Sequence, residues 1–162
     1  MAEDGEAVEY GVVAREVLVA EDGLTFLRQI VDGELPSPPI AQTMGMHLAE
    51  ADPGRVVFTG TPGFHHYNPS SQVHGGFALT LLDSALGCAV HSTLKAGESY
   101  TTLEIKVNFV RGMSEATGEV RSEGHVVHRG RQTATAEGRL TDANGRLLAH
   151  GVTTCMIFPA AN

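Results

Sequence analysis

Phe77-Ala78-Leu79-Thr80-Leu81-Leu82-Asp83-Ser84-Ala85-Leu86-Gly87-Cys88-Ala89-Val90 is apolar almost all the way round a helical wheel, and its one charged residue is Asp83. A surface helix shows a single apolar stripe, whereas a helix apolar on every side belongs inside a fold. The stretch therefore predicts a buried central helix from about Gly75 to His91, with a lone carboxylate in its middle. Such a group is costly to bury unless it is paired, hydrogen-bonded or neutralised. A core seldom keeps one for packing, so Asp83 is the first candidate for chemistry. Capping a neighbouring loop and lining a subunit interface are the structural alternatives.

Just before this helix stands Val73-His74-Gly75-Gly76. Two glycines at a helix start leave backbone N–H groups unobstructed at the positive end of the helix dipole. That is a ready site for a developing oxyanion, with Gly75 and Gly76 as its donors. A tight loop that needs glycine dihedrals is the plainer alternative. Gly76 and Asp83 are seven residues apart, or about 10 Å along one helix. A carboxylate and an oxyanion donor acting on one carbonyl must both lie within a few ångströms of it. If both act, they come from two chains, and the protein is an obligate dimer with paired sites at the interface.

Outward from the helix the pattern changes to strands. Thr102 to Phe109 alternates apolar and polar residues, as in a half-buried strand. Gly118 to His128, Gln132 to Thr141 and Leu147 to Phe158 read as three more, the last two joined at Asn144-Gly145. One face of the third strand is mostly small (Gln132, Ala134, Ala136, Gly138, Leu140), which lets a helix approach the sheet closely. Before the helix, Met46 to Ala51 and Arg55 to Thr61 form a pair around Asp52-Pro53-Gly54. A leading helix spans Leu24 to Val31, with Asp22 as N-cap and Gly33 as stop. Leu35-Pro36-Ser37-Pro38-Pro39 reads as an extended connector. The order predicts an α+β fold, a long antiparallel sheet wrapped around one central helix. Residues 1–22 form an acidic leader, mobile or loosely docked, and 23–159 the single domain.

A formal net charge of −8 gives little support to nucleic acid or an anionic membrane as partner. No apolar run is long enough to span a bilayer, and the acidic start is unlike a signal peptide, so a cytoplasmic location is expected. Cys88 and Cys155 sit among apolar residues and read as reduced core thiols. His65-His66 would point in different directions if extended, a poor chelate, so no metal is expected. Ser84 lacks a nucleophile-elbow context.

The combination of Asn68-Pro69, His74-Gly75-Gly76, Leu81-Leu82-Asp83-Ser84-Ala85, Thr101 to Phe109 and His128-Arg129-Gly130-Arg131 resembles the hotdog-fold thioesterases of the phenylacetate-degradation (PaaI) type over residues 24–158. The resemblance implies an acyl-CoA thioesterase acting on an aromatic or short-to-medium acyl group. It implies Asp83 as nucleophile or general base and Gly75, with Gly76, as oxyanion donors. Asn68 would hold the attacking water or the thioester, Thr102 would orient that water (with Thr101 adjacent), and His74 would hold the loop. It also implies coenzyme A as part of the substrate rather than a cofactor, bound at the interface of a homodimer that pairs into a tetramer. Arg111, Arg129 and Arg131 are candidates for the phosphates, or ordinary solvated charges. A non-catalytic acyl-CoA-binding domain and a hotdog hydratase or dehydratase are the competing functions.

Overall fold

A computed structural model describes residues 8–160; the first seven residues of the expected leader lie outside them. The elements run α1 (Arg15–Leu18), α2 (Gly23–Val31), α3 (Pro39–Met44), β1 (Met46–Asp52), β2 (Arg55–Gly60), α4 (Gly75–His91), β3 (Glu98–Phe109), β4 (Val120–Arg129), β5 (Thr133–Asp142) and β6 (Leu147–Pro159). The strands form one antiparallel sheet in the order β1-β2-β4-β5-β6-β3. α4 lies across one face of it and reaches all five strands from β2 to β3.

The helix sits so low because side chains are missing beneath it. Gly124, Gly138 and Gly151 are register partners across β4, β5 and β6. A Cβ at Gly124 would stand 2.5 Å from the Ala85 carbonyl oxygen, and one at Gly138 would stand 3.1 Å from Leu86 Cδ2. On either side of this row, Ala134, Ala136 and Leu140 close over Leu81, Leu82, Ala85 and Leu86, all fully buried. The small-residue face of β5 thus has the role its sequence predicts.

α2 is capped as expected, the Asp22 carboxylate accepting from the Thr25 N–H at 3.0 Å. Gly33 follows its end at φ +76°. The extended connector is shorter than the prolines suggest, because Pro39 occupies the first turn of α3, where its missing N–H costs nothing. In the leader, backbone bonds tie Gly11 N–H to Ser37 O and Ser37 N–H to Glu9 O, both at 2.9 Å.

Two features depart from the sequence pattern and both bear on the site. β3 contains a bulge: Thr102 pairs with Cys155 and Glu104 with Thr154, leaving Leu103 as the extra residue. Strict alternation would align Leu103 with Ile105 and Val107. Instead Leu103 is 56% exposed, and Thr102 turns to the helix side. The strand also starts earlier, at Glu98, which brings in Tyr100. Second, α4 is not buried all round. Asp83 is exposed within one chain, and Leu79, one turn before it, is also exposed. The sheet covers most of the helix but ends at the edge strand β3, leaving this stripe open. No helix among the described residues is long and apolar enough to cross a membrane.

Candidate functional site

Gly75, Leu79 and Asp83 follow one another at four-residue spacing, so they lie on one face of α4. β3 runs beside that face in the opposite direction. The Phe109 ring covers Gly75, where a Cβ would lie 3.1 Å from Cζ. Thr102 Oγ1 donates to Asp83 Oδ1 at 3.2 Å. Tyr100 covers Gly87, where a Cβ would lie 2.9 Å from the phenol oxygen. α4 and β3 are thus packed along this face, with the only carboxylate of α4 at its middle. Asp83 Oδ2 accepts no hydrogen bond among the described residues.

The two thiols near this seam are unreactive at neutral pH. Burial raises the Cys155 thiol, and it raises Cys88 to about 12 with the negative charge of Asp83 adding to the effect. Both are free and protonated at neutral pH. Cys155 Sγ lies 4.0 Å from Thr102 Oγ1, a soft floor beneath the hydroxyl.

The loop before α4 is held as a compact unit. Tyr67 and Val73 bridge in antiparallel fashion, and the His74 N–H donates to His66 O at 2.8 Å. Asn68 Oδ1 accepts from the backbone N–H groups of Ser70 (2.9 Å) and Gln72 (3.2 Å). Its oxygen is therefore occupied in shaping the loop, while its amide NH2 makes no bond among the described residues. His74 is the N-cap of α4, its Nδ1 accepting from the Gly76 N–H at 2.8 Å. This corrects the expectation for Gly76, whose N–H is engaged by the cap. Gly75 N–H has no acceptor among the described residues and is the donor left at the helix start.

His65 and His66 depart from the extended geometry expected of them. They sit on a 3-10 turn, Phe64–His66, with ring centroids 3.9 Å apart. His66 Nδ1 accepts from the Gly63 N–H at 2.9 Å, so Nε2 carries the proton. Burial lowers its pKa and keeps it neutral.

The three arginines do not share a site within one chain. Arg111 lies just past the end of β3, its guanidinium donating to Leu147 O at 2.7 Å. Arg129 is at the opposite end of the strand, paired to Glu98 at 2.6 Å. About ten residues of strand, roughly 35 Å, separate the two ends. Arg129 is thus half-buried and already partnered. Arg131 is exposed and lines a groove of about 760 Å³ with Lys95, Gln132 and Phe158.

Residues 71–149 match the thioesterase superfamily. Among curated proteins, the 1,4-dihydroxy-2-naphthoyl-CoA hydrolase of Listeria monocytogenes is 24% identical over 73% of this chain and 93% of its own length. Among solved structures, a phenylacetic acid degradation-related protein of Ralstonia eutropha is 29% identical, with a TM-score of 0.73 over 81% of this chain and 98% of that one. A thioesterase family protein of Silicibacter pomeroyi is 26% identical with a TM-score of 0.73, covering 82% and 98%. The PaaI protein of E. coli, at 21% identity and a TM-score of 0.68 over 74% and 84%, shares the fold. With a six-stranded antiparallel sheet laid over one long helix, and His74-Gly75-Gly76 leading into Asp83 on that helix, the chain has the hotdog fold and is similar to thioesterases of the phenylacetate-degradation type.

Proposed function

We propose that this protein hydrolyses an acyl-CoA thioester at a site shared by two chains, with Asp83 of one chain and the Gly75 N–H of the other acting on one carbonyl. The observation that carries this reading is the solvent-facing Asp83, anchored by Thr102 at 3.2 Å with Oδ2 left open. An aromatic acyl group is supported by the naphthoyl-CoA named for the Listeria relative. The Gly75 N–H polarises the carbonyl. Asp83 takes a proton from a water whose oxygen attacks, and the C–S bond then breaks with its electron pair leaving on sulfur as the CoA thiolate. In the alternative route the carboxylate oxygen attacks directly, expels the same thiolate and forms an anhydride that water hydrolyses. Either way Thr102 fixes one carboxylate oxygen, and the free amide of Asn68 is available to water or the thioester.

The dimer follows from arithmetic on α4. If two antiparallel helices bring position 83 of one beside position 75 of the other, their two-fold axis passes position 79. Leu79 is apolar and 36% exposed there. Phe109 on the edge strand β3 is exposed beside the same face, as expected of a surface that a second copy covers. Antiparallel pairing of the two β3 edges would also bring Arg111 of one chain to the Lys95 and Arg131 end of the other, a cationic setting for CoA phosphates. Two free thiols suit the reducing cytoplasm.

Thiol release from a panel of acyl-CoAs, with the Asp83→Asn variant alongside, tests the reading. A loss of roughly a hundredfold or more with the oligomer intact supports an acid-dependent thioesterase. Equal activity in the variant overturns the role of Asp83. No turnover with acyl-CoA still bound leaves an acyl-CoA-binding domain, and hydration of a double bond leaves a hydratase.

A further inference from the structure

Among the described residues, one buried side-chain polar atom lacks a hydrogen-bond partner, and it is Nε2 of His66. The residue is 9% exposed and lies on the turn that opens the loop before α4. Its ring packs between two others, Phe77 of α4 at 4.5 Å and His65 at 3.9 Å between centroids. A buried donor without an acceptor is disfavoured, and a phenylalanine would fill the same space without one. Packing alone therefore does not account for an imidazole here. What the imidazole adds is Nδ1.

Nδ1 closes a reciprocal pair. It accepts from the Gly63 N–H at 2.9 Å, while the His66 N–H donates to Gly63 O at 2.9 Å. Burial disfavours the charged ring, which keeps Nδ1 an acceptor at neutral pH. The closed turn presents His66 O to the His74 N–H at 2.8 Å. His74 in turn takes the Gly76 N–H on its own Nδ1 at 2.8 Å, and its carbonyl takes the Phe77 N–H at 3.0 Å. Between them, the Val73 N–H donates to Met113 O at 3.0 Å and ties the loop from its other side. The relay occupies the N–H groups of His74, Gly76 and Phe77 and passes over Gly75.

We propose that His66 is a positioning residue for the reaction: through Gly63 and His74 it fixes the start of α4 so that the Gly75 N–H stays unoccupied and in place. The inference rests on the thioesterase reading, which gives that N–H its carbonyl. His66 touches no reacting atom. It sets the placement of a donor that acts as charge develops on oxygen, where a displacement of about 1 Å is costly to the rate.

Two variants separate the acceptor from the ring. His66→Asn puts Oδ1 where Nδ1 stands and gives up the ring. His66→Phe keeps a ring against Phe77 and gives up the acceptor, with His66→Leu in its place where the phenylalanine variant does not fold. Thiol release from an acyl-CoA gives kcat and KM, and amide exchange read by NMR at Gly63 and His74 follows the latch without any substrate. His66→Phe should lower kcat by roughly tenfold to a hundredfold with KM little changed, and both amides should exchange faster. His66→Asn should hold kcat and both amides close to native. Native kcat or native exchange in His66→Phe overturns the proposal, and so does an equal loss of kcat in the two variants. Exchange that responds as expected in a protein that turns over no acyl-CoA keeps the latch and removes the thioesterase reading.

Discussion

Thr102 Oγ1 reaches Asp83 Oδ1 because the residue between Thr102 and Glu104 is squeezed out of the ladder of β3. Without the bulge, Thr102 would share the outward face with Glu104 and Lys106, and Asp83 would lose its only hydrogen-bond partner among the described residues. Bulges commonly re-aim a side chain next to an active site. Here one inserted residue connects the edge strand to the carboxylate.

Thr102→Val keeps the branched shape and removes the donor. Hydrogen bonds to charged groups contribute about 1.5–3 kcal/mol, so kcat for thioester hydrolysis should fall roughly tenfold or more with KM little changed. Thr102→Ser should restore most of it. A valine variant with native kcat would show that the hydroxyl takes no part.

Leu79→Lys places a charge at the predicted two-fold axis. Sedimentation should show the dimer shifting to monomer, and activity should fall with it as Asp83 loses the partner's Gly75. A variant that remains dimeric and active puts the axis elsewhere on the chain.

Gly124→Ala adds a Cβ that would sit 2.5 Å from the Ala85 carbonyl oxygen, which is backbone and cannot rotate away. Overpacking of this kind costs about 1–3 kcal/mol, and urea denaturation should show a loss in that range. An unchanged midpoint would mean that α4 is free to lift from the sheet.

On the outer face of the sheet, Arg55 donates to Glu123 at 3.1 Å, with His125 and Arg121 adding further bonds. These hold the Glu123 carboxyl at about 2, against the opposing effect of partial burial. A depressed pKa stabilises the fold above the ordinary value of 4.5, and the gain is lost as pH falls from there towards 2. Arg55→Met should therefore destabilise the protein most near neutrality, by an amount that shrinks towards about pH 3. The effect is modest, because Glu123 is about one-third exposed to screening solvent. Chemical denaturation at the two pH values measures it, and a penalty that does not vary with pH argues that Arg55 acts through packing alone.

Much of the fold was legible because its signals are local. The apolar run ending at His91, the Asp22 cap, the small face of β5 and the turns at Gly54 and Gly145 each name their own element. What escaped depends on contacts between elements. α3 hid behind prolines because Pro39 is forbidden inside a helix but welcome at its start. Tyr100 was overlooked because the bulge at Leu103 broke the alternation on which the reading of β3 relied. At the site, Thr102 bonds Asp83 directly and His74 caps α4, whereas the Gly76 N–H is occupied by that cap, a competition that spacing alone does not reveal. Asp83 read as buried because a helix apolar on all sides looks the same whether the sheet or a second copy covers its last stripe.

The glycine row at positions 124, 138 and 151 bears on how the site withstands change. Where side chains separate a helix from its sheet, every substitution between them tilts or rolls the helix a little. At Gly124 α4 instead comes down onto bare main chain, where an added Cβ would meet the Ala85 carbonyl oxygen at 2.5 Å. The bearing of Asp83, two residues before Ala85, towards Thr102 thereby depends on a position far from it in sequence staying without a side chain. The depth at which the helix is seated, and with it the reach of the carboxylate to its hydroxyl, is set from the strand beneath.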